Sequence, residues 1–356
     1  MRNSNKKIPI KELYGLDSIN SKNLESIDLK HKKEIKKILI IKWGGMGDII
    51  LATSIMEDIY TSFPKSKIHL NTLPEWKSLF NNDQRFEKIW GTKKSQEVGL
   101  LKHLYSWIKK IKSENYDLII DLQTNDRTRI YLTILKMIKK GPEFIIGNHP
   151  VFPYSIFPKK INKIEHPFHL LQRTINTIGV ESKTIHPKLY ITKEENKLGL
   201  DILKKNNLIK KKYVVFICGS NRKGKLKRWG AQNFVELSNL IRSYLNLKVI
   251  LIGGPDDISE CELISCMDKR IINLCNKTKL KVLPNIFKNA KFIIGNDTGT
   301  SHLVAATKTP MIEIFGPTDP KKSKPLRKTI IAVKASHSSM NNVSANYIFN
   351  KIKEIL

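Results

Sequence analysis

Two doubly wound α/β domains are the fold that this sequence predicts, on three observations. Short apolar runs, among them Ile38-Leu39-Ile40-Ile41, Tyr213-Val214-Val215-Phe216-Ile217 and Phe292-Ile293-Ile294, have the composition of buried parallel strands. The runs end in turns of Gly, Asp, Asn, Ser and Thr, and the first and last of them lead into helix-compatible spacing. A chain of 356 residues is long enough for two such domains, each with its own core. Folds of this class bind ligands outside the carboxyl ends of their strands. The turns are therefore where function is sought.

Composition narrows the class. Hydrophobic content of 40% and aromatic content of 8% are globular values. The chain has 63 Lys plus Arg against 32 Asp plus Glu, a formal charge of +31. Such a balance points to an anionic partner or to a lysine-rich, biased composition, and both readings stand. Cys218, Cys261, Cys266 and Cys275 form no C-x-x-C pair and no zinc-ligand spacing, which fits a reducing cytoplasm. No apolar run approaches the roughly 18 to 20 residues that span a bilayer, and no secretory signal follows the basic N-terminus.

Residues 1–34 are polar and basic without a sustained period and are expected to be a loosely packed extension. The first strand, within Ile35–Trp43, leads to Gly44-Gly45-Met46-Gly47-Asp48 and a helix from Ile49 to Phe63. The turn matches neither G-x-G-x-x-G nor a Walker A motif. Asp48, at the helix start, is a candidate N-cap or a candidate general base. Lys67–Leu73 reads as a strand, with Pro74-Glu75-Trp76 opening a helix. Tyr116–Gln123 is a further strand, which puts Gln123 on the ligand side and Arg127 close behind, as an anion contact or a solvated helix start. Phe144–Gly147 is another strand. Val151–Lys163 mixes apolar and basic residues, as a membrane-proximal loop or a packed one does. A helix through His166 and Arg173 closes a first domain, 35–182, and no metal pair is read at His166 and His169.

Glu181–Thr192 is a linker into a second domain, 183–340. After the strand at Lys212–Ile217, the loop Cys218–Trp229 concentrates cations, including Lys227 and Arg228. The strand Lys248–Ile252 ends at Gly253-Gly254-Pro255-Asp256-Asp257, where Asp257 is an N-cap or an acceptor for a ribose diol. Lys291–Pro320 then gives strand, turn, helix, strand. Asp297-Thr298-Gly299-Thr300 would offer N–H groups and hydroxyls to a phosphate, with Gly299 permitting close approach; an ordinary capped turn accounts for it equally well. In residues 341–356, Ile348, Ile352 and Ile355 form a helical stripe with Ser344 as cap.

The pattern Asp297-Thr298-Gly299-x-x-His302-Leu303-x-Ala305-Ala306, a strand, then Phe315-Gly316-Pro317-Thr318-Asp319-Pro320, resembles the donor segment of the ADP-heptose:lipopolysaccharide heptosyltransferases, glycosyltransferase family 9. The resemblance covers roughly 35–356. It implies a GT-B architecture, two Rossmann-like domains facing a cleft, and an inverting glycosyl transfer without metal or other cofactor. Gly47-Asp48 matches the family's early Gly-Asp, which implies Asp48 as catalytic base and Gly45 and Gly47 beside the acceptor. Gln123 and Arg127 fall near the acceptor in the same comparison. Lys227-Arg228-Trp229 matches the family's basic motif, although Gly230 replaces its Pro. Lys227, Arg228, Asp257, Asp297, Thr298, Gly299, Thr300 and His302 would bind the donor, with His302 holding the diphosphate or the helix start.

The implied partners are a nucleotide-sugar, ADP-heptose in the family, and a lipopolysaccharide-core or other anionic glycolipid acceptor. Peripheral contact with an anionic membrane, from the cytoplasm, would follow. The C-terminal helix is expected to pack back on the first domain. Another sugar donor, or non-catalytic binding of a polyanion such as nucleic acid, are the alternatives. No helix-turn-helix, RRM or zinc-finger signature supports the second.

Overall fold

The computed structural model describes residues 28–29, 34–92, 99–123, 125–158, 166–220 and 224–356. Most of the 1–34 extension, Lys159 to Lys163 of the apolar-basic loop and Asn221 to Lys223 of the basic loop lie outside the described residues. Leu29 is an exception to the expected loose packing: it is buried in the core of the first domain.

The first domain runs β1 (Lys37–Lys42), α1 (Met46–Ser62), β2 (Lys67–Thr72), a 3₁₀ turn (Pro74–Phe80), β3 (Lys88–Gly91), α2 (Leu100–Glu114), β4 (Leu118–Asp121), α3 (Asp126–Met137), β5 (Phe144–Ile146) and α4 (Pro167–Asn176). Its strands are parallel in the order β3-β2-β1-β4-β5. The second domain continues with α5 (Lys193–Lys205), β6 (Tyr213–Ile217), α6 (Ala231–Leu245), β7 (Lys248–Leu251), α7 (Ile258–Met267), β8 (Ile272–Asn273), α8 (Leu283–Asn289), β9 (Ile293–Asn296), α9 (Gly299–Val304), β10 (Met311–Phe315), α10 (Pro320–Ser323), β11 (Ile330–Lys334) and α11 (Ala345–Ile355). Its sheet is also parallel, in the order β11-β10-β9-β6-β7-β8.

The central strands are largely apolar because helices cover both faces; Ile38 to Ile41 and Tyr213 to Phe216 are fully buried. In both sheets the strand order reverses next to the first strand, between β1 and β4 and between β6 and β9. These are the switch points at which such folds open a crevice. The turns after β1, β4, β6 and β9 are therefore gathered there by topology.

α11 departs from expectation. Its stripe, Ile348 and Ile352 with Phe349, enters the core of the second domain beside Trp229 and Phe234, and the helix packs on α6 rather than on the first domain. The stripe predicts burial without specifying the partner. Ser344 caps this helix, accepting from the Tyr347 N–H at 3.2 Å.

Polar contacts lock the linker to the first domain. Arg85, with no exposed side-chain surface, forms a fork on Asp83 (Nε to Oδ1 2.9 Å, Nη2 to Oδ2 2.6 Å). The same guanidinium donates to the carbonyls of Thr53 in α1 and Lys188 in the linker, at 2.7 and 3.1 Å. Arg85→Ala leaves the Asp83 carboxylate buried and uncompensated. The expected loss is about 3–5 kcal/mol, read from denaturant midpoints; a loss below about 1 kcal/mol would show the fork to be dispensable.

Candidate functional site

The loop after β1 is built to hold a carboxylate at the mouth of the crevice. Gly45 caps α1, and Asp48 stands at its third position, not at the cap; its Oδ2 accepts the Gly45 N–H at 3.2 Å. The loop is pinned from three sides. Gln123 Oε1 accepts the Trp43 N–H at 3.0 Å, Trp76 Nε1 donates to the Gly44 carbonyl at 2.9 Å, and Trp43 Nε1 donates to Asn71 Oδ1 at 2.9 Å. Beneath it Lys42 is buried and donates to the Leu122 carbonyl at 2.9 Å. Burial pushes this ammonium down, against the opposing pull of Asp48 and Asp121.

Two loops from the second domain face it. Lys227 ends a short 3₁₀ turn after β6, and its ammonium lies 2.7 Å from Asp297 Oδ2 in the turn after β9. Thr318 donates to the same oxygen at 2.6 Å. Asn296, fully buried, joins these loops, accepting the Trp229 N–H at 3.2 Å and donating to the Cys218 carbonyl. Thr298 caps α9, a helix of only six residues. So short a helix offers its unsatisfied first-turn N–H groups, at Gly299 and Thr300, more than a macrodipole.

The two domains meet at glycines. A Cβ on Gly47 would stand 2.8 Å from the His302 ring, and one on Gly299 would stand 2.9 Å from the Met46 Cβ and 3.0 Å from the Gly47 nitrogen. Gly299, expected to admit an anion, is thus required for domain contact in the first place. His302 is enclosed there with Nδ1 lacking a hydrogen-bond partner, and desolvation pushes its pKa down to about 4 although Asp48 and Asp297 pull it up.

Between these loops lies a cavity of about 880 Å³. Gly45, Gly47, Asp48, Lys227, Asp257, Asp297, Thr298, Gly299, Thr300 and His302 all line it. Asp257 Oδ2 accepts the Gly254 N–H at 2.9 Å, while its Oδ1 has no hydrogen-bond partner and lies 3.9 Å from Arg228; burial pushes this carboxyl up. Ile252, Leu280 and Leu283 make an apolar end close by.

Three expected contacts stand outside the wall. Arg228 turns behind it to the Ser220 and Asp256 carbonyls, at 3.3 and 3.0 Å, and to Glu260 at 3.5 Å. Gln123 and Arg127 lie behind Trp43, the first through the loop hydrogen bond and the second stacked 5.2 Å from the indole. The wall also contains residues that sequence reasoning passed over, notably Trp43, Glu75, Trp76, His166 and Lys322. Their one available signal was position: Trp43 directly follows β1, and Glu75 and Trp76 follow β2 at a Pro-initiated turn.

Comparison with known proteins identifies the family and the fold. The family described as glycosyltransferase family 9 (heptosyltransferase) matches residues 104–353. Lipopolysaccharide heptosyltransferase 1 of Escherichia coli K12 is 22% identical over 332 residues, 90% of this chain and all of that protein. Lipopolysaccharide heptosyltransferase 3 of the same strain is 24% identical over 80% of this chain and 84% of its own length. Among solved structures, a family 9 glycosyl transferase from Veillonella parvula aligns with a TM-score of 0.78 at 18% identity, over 93% of this chain and 98% of the other. The Escherichia coli heptosyltransferase WaaC with ADP aligns with a TM-score of 0.71 at 18% identity, over 90% and 100%. The architecture is GT-B.

Because His302 is neutral in the fold, protonation favours the unfolded chain, whose histidines titrate near 6.5. Its contribution to stability is whole above about pH 6.5 and is lost as pH falls toward 4. The thermal midpoint of wild type should fall more steeply across that window than that of His302→Asn. Parallel curves would remove His302 from the domain contact.

Proposed function

This chain belongs to glycosyltransferase family 9, and from that premise we propose that it transfers a heptose, or a closely similar sugar, from an ADP-sugar to a lipopolysaccharide-core or related anionic glycan, with inversion and without a metal. That it is a glycosyltransferase follows from its family. The observation that carries the finer reading is the meeting, across one cavity, of a carboxylate from the first domain with a cation and open N–H groups from the second.

In this reading Asp48 takes the proton of an acceptor hydroxyl. The oxygen attacks the anomeric carbon from the side opposite the diphosphate, and the bond between that carbon and the diphosphate oxygen breaks. Charge accumulates on the leaving diphosphate, where Lys227, the N–H groups of Gly299 and Thr300 and the Thr298 hydroxyl meet it. Asp257, on the cavity wall, accepts from a ribose hydroxyl, and the end at Ile252, Leu280 and Leu283 takes the base. His302, neutral, donates to or accepts from the diphosphate region without adding charge. The charge of +31 suits an anionic acceptor, and peripheral contact with an anionic membrane belongs to the same proposal. Among the described residues no helix is long and apolar enough to cross a membrane.

Calorimetry with ADP, UDP, GDP and CMP tests the donor site. ADP is expected to bind in preference, about ten- to a hundredfold more weakly in Lys227→Ala, which loses a charge-assisted hydrogen bond. Asp48→Asn should retain ADP affinity and lose about 10²- to 10⁴-fold in transfer rate. Preference for another nucleotide would change the donor, and no nucleotide binding would overturn the reading. Transfer should also survive exhaustive chelation; a rate lost to EDTA and restored by a divalent cation would refute metal independence.

A further inference from the structure

We propose that Trp76 and Glu75 form an acceptor subsite, on which a pyranose ring of the acceptor glycan stacks so that a hydroxyl reaches Asp48. This rests on the acceptor reading above and assigns where the acceptor lies.

Trp76 is half-buried in the 3₁₀ turn after β2, packed against apolar clusters of the first domain. Its only polar atom is committed, since Nε1 donates to the Gly44 carbonyl at 2.9 Å. The surface that it presents to the cavity is therefore apolar ring. Gly44 in turn packs on Asp48: a Cβ built on Gly44 would stand 2.7 Å from the Asp48 Cβ. Indole, Gly44 and the candidate base are thus consecutive neighbours along one wall. Glu75, exposed and adjacent in sequence, lines the same wall with a carboxylate, which accepts hydroxyl hydrogen bonds.

A pyranose carries C–H groups on a face and hydroxyls around its rim. An immobilised aromatic face flanked by a carboxylate is complementary to that pattern. The nucleotide has no need of this wall. The apolar end at Ile252, Leu280 and Leu283 and the carboxylate of Asp257 belong to the second domain. An indole held in place in advance also loses little entropy when it is covered.

The test uses the full chain, with deacylated lipopolysaccharide-core oligosaccharide as acceptor probe. Trp76→Leu keeps bulk and apolarity but removes the aromatic face; Trp76→Phe keeps a face and removes the Gly44 hydrogen bond. The expected result is an acceptor KM about tenfold higher in Trp76→Leu than in Trp76→Phe, equivalent to about 1.4 kcal/mol, with the same ADP Kd in both, since both variants lose the Gly44 hydrogen bond and differ in the aromatic face. Trp76→Phe should restore most of the acceptor affinity. The acceptor should quench tryptophan fluorescence in wild type and not in Trp76→Phe. An equal acceptor KM in Trp76→Leu and Trp76→Phe overturns the subsite while leaving the transferase reading intact. Equal weakening of ADP and acceptor overturns it too, because that marks general loosening of the loop. A wild-type protein that binds no ADP defeats the parent reading, and the subsite with it.

Discussion

The pairing of Lys227 with Asp297 is the contact on which the second half of the cavity depends. It joins the loops after β6 and β9, the two strands between which the sheet order reverses, at 2.7 Å and with the carboxylate almost wholly enclosed. Thr318 adds a third loop to the same oxygen, and Asn296 fixes the backbone on which Lys227 and Asp297 stand. A lysine on a surface loop would otherwise sample many rotamers and be a diffuse charge. Here it is aimed before any ligand arrives. The pair also tempers the site: a lysine already neutralised by a carboxylate attracts an anion less strongly than a bare one. Breaking such a pair costs more than the pair contributes, because the surviving charge stays buried.

The other half depends on close approach between domains. Gly47 against His302, and Gly299 against Met46 and Gly47, bring backbone to backbone where any Cβ would intrude. Further along the seam, His166 Nε2 meets the Lys324 carbonyl at 3.1 Å, His186 Nδ1 meets the Leu326 carbonyl at 2.8 Å, and Lys281 donates to the Asn81 carbonyl at 2.6 Å. Burial keeps His166, like His302, below the ordinary histidine range.

The central strands were legible because burial on both faces leaves near-continuous apolar runs. Edge elements were not legible. β3, Lys88-Ile89-Trp90-Gly91, is four residues with a charged end, and β11 carries Ala332 and Lys334 in a half-exposed strand. α2 and α5 are lysine-rich helices that were not read either, although α2 carries a stripe of Leu104, Trp107, Ile108 and Ile111. Within the site, chain position identified the loops, because topology alone carries them to the crevice. Side-chain direction was beyond it. Arg228 and Lys227 are adjacent, yet one turns to backbone carbonyls behind the wall and the other into the cavity. Nothing in a basic tripeptide distinguishes them. The partner of α11 was hidden for a related reason: amphipathicity specifies a buried face, and only tertiary packing selects α6 to cover it.

The two domains divide the chemistry by sign. The first presents a carboxylate on a loop made rigid by Gln123, Trp76 and Asn71, and the second presents a cation and open N–H groups on loops made rigid by Asn296 and Asp297. Lys227 has its own carboxylate, Asp297, which leaves Asp48 without a salt-bridge partner among the described residues. Lys42 lies beneath Asp48 but is turned to the Leu122 carbonyl, and its burial weakens its charged form. Asp48 is thus held by one backbone N–H at the mouth of the cavity, facing the cation of the second domain across the cleft.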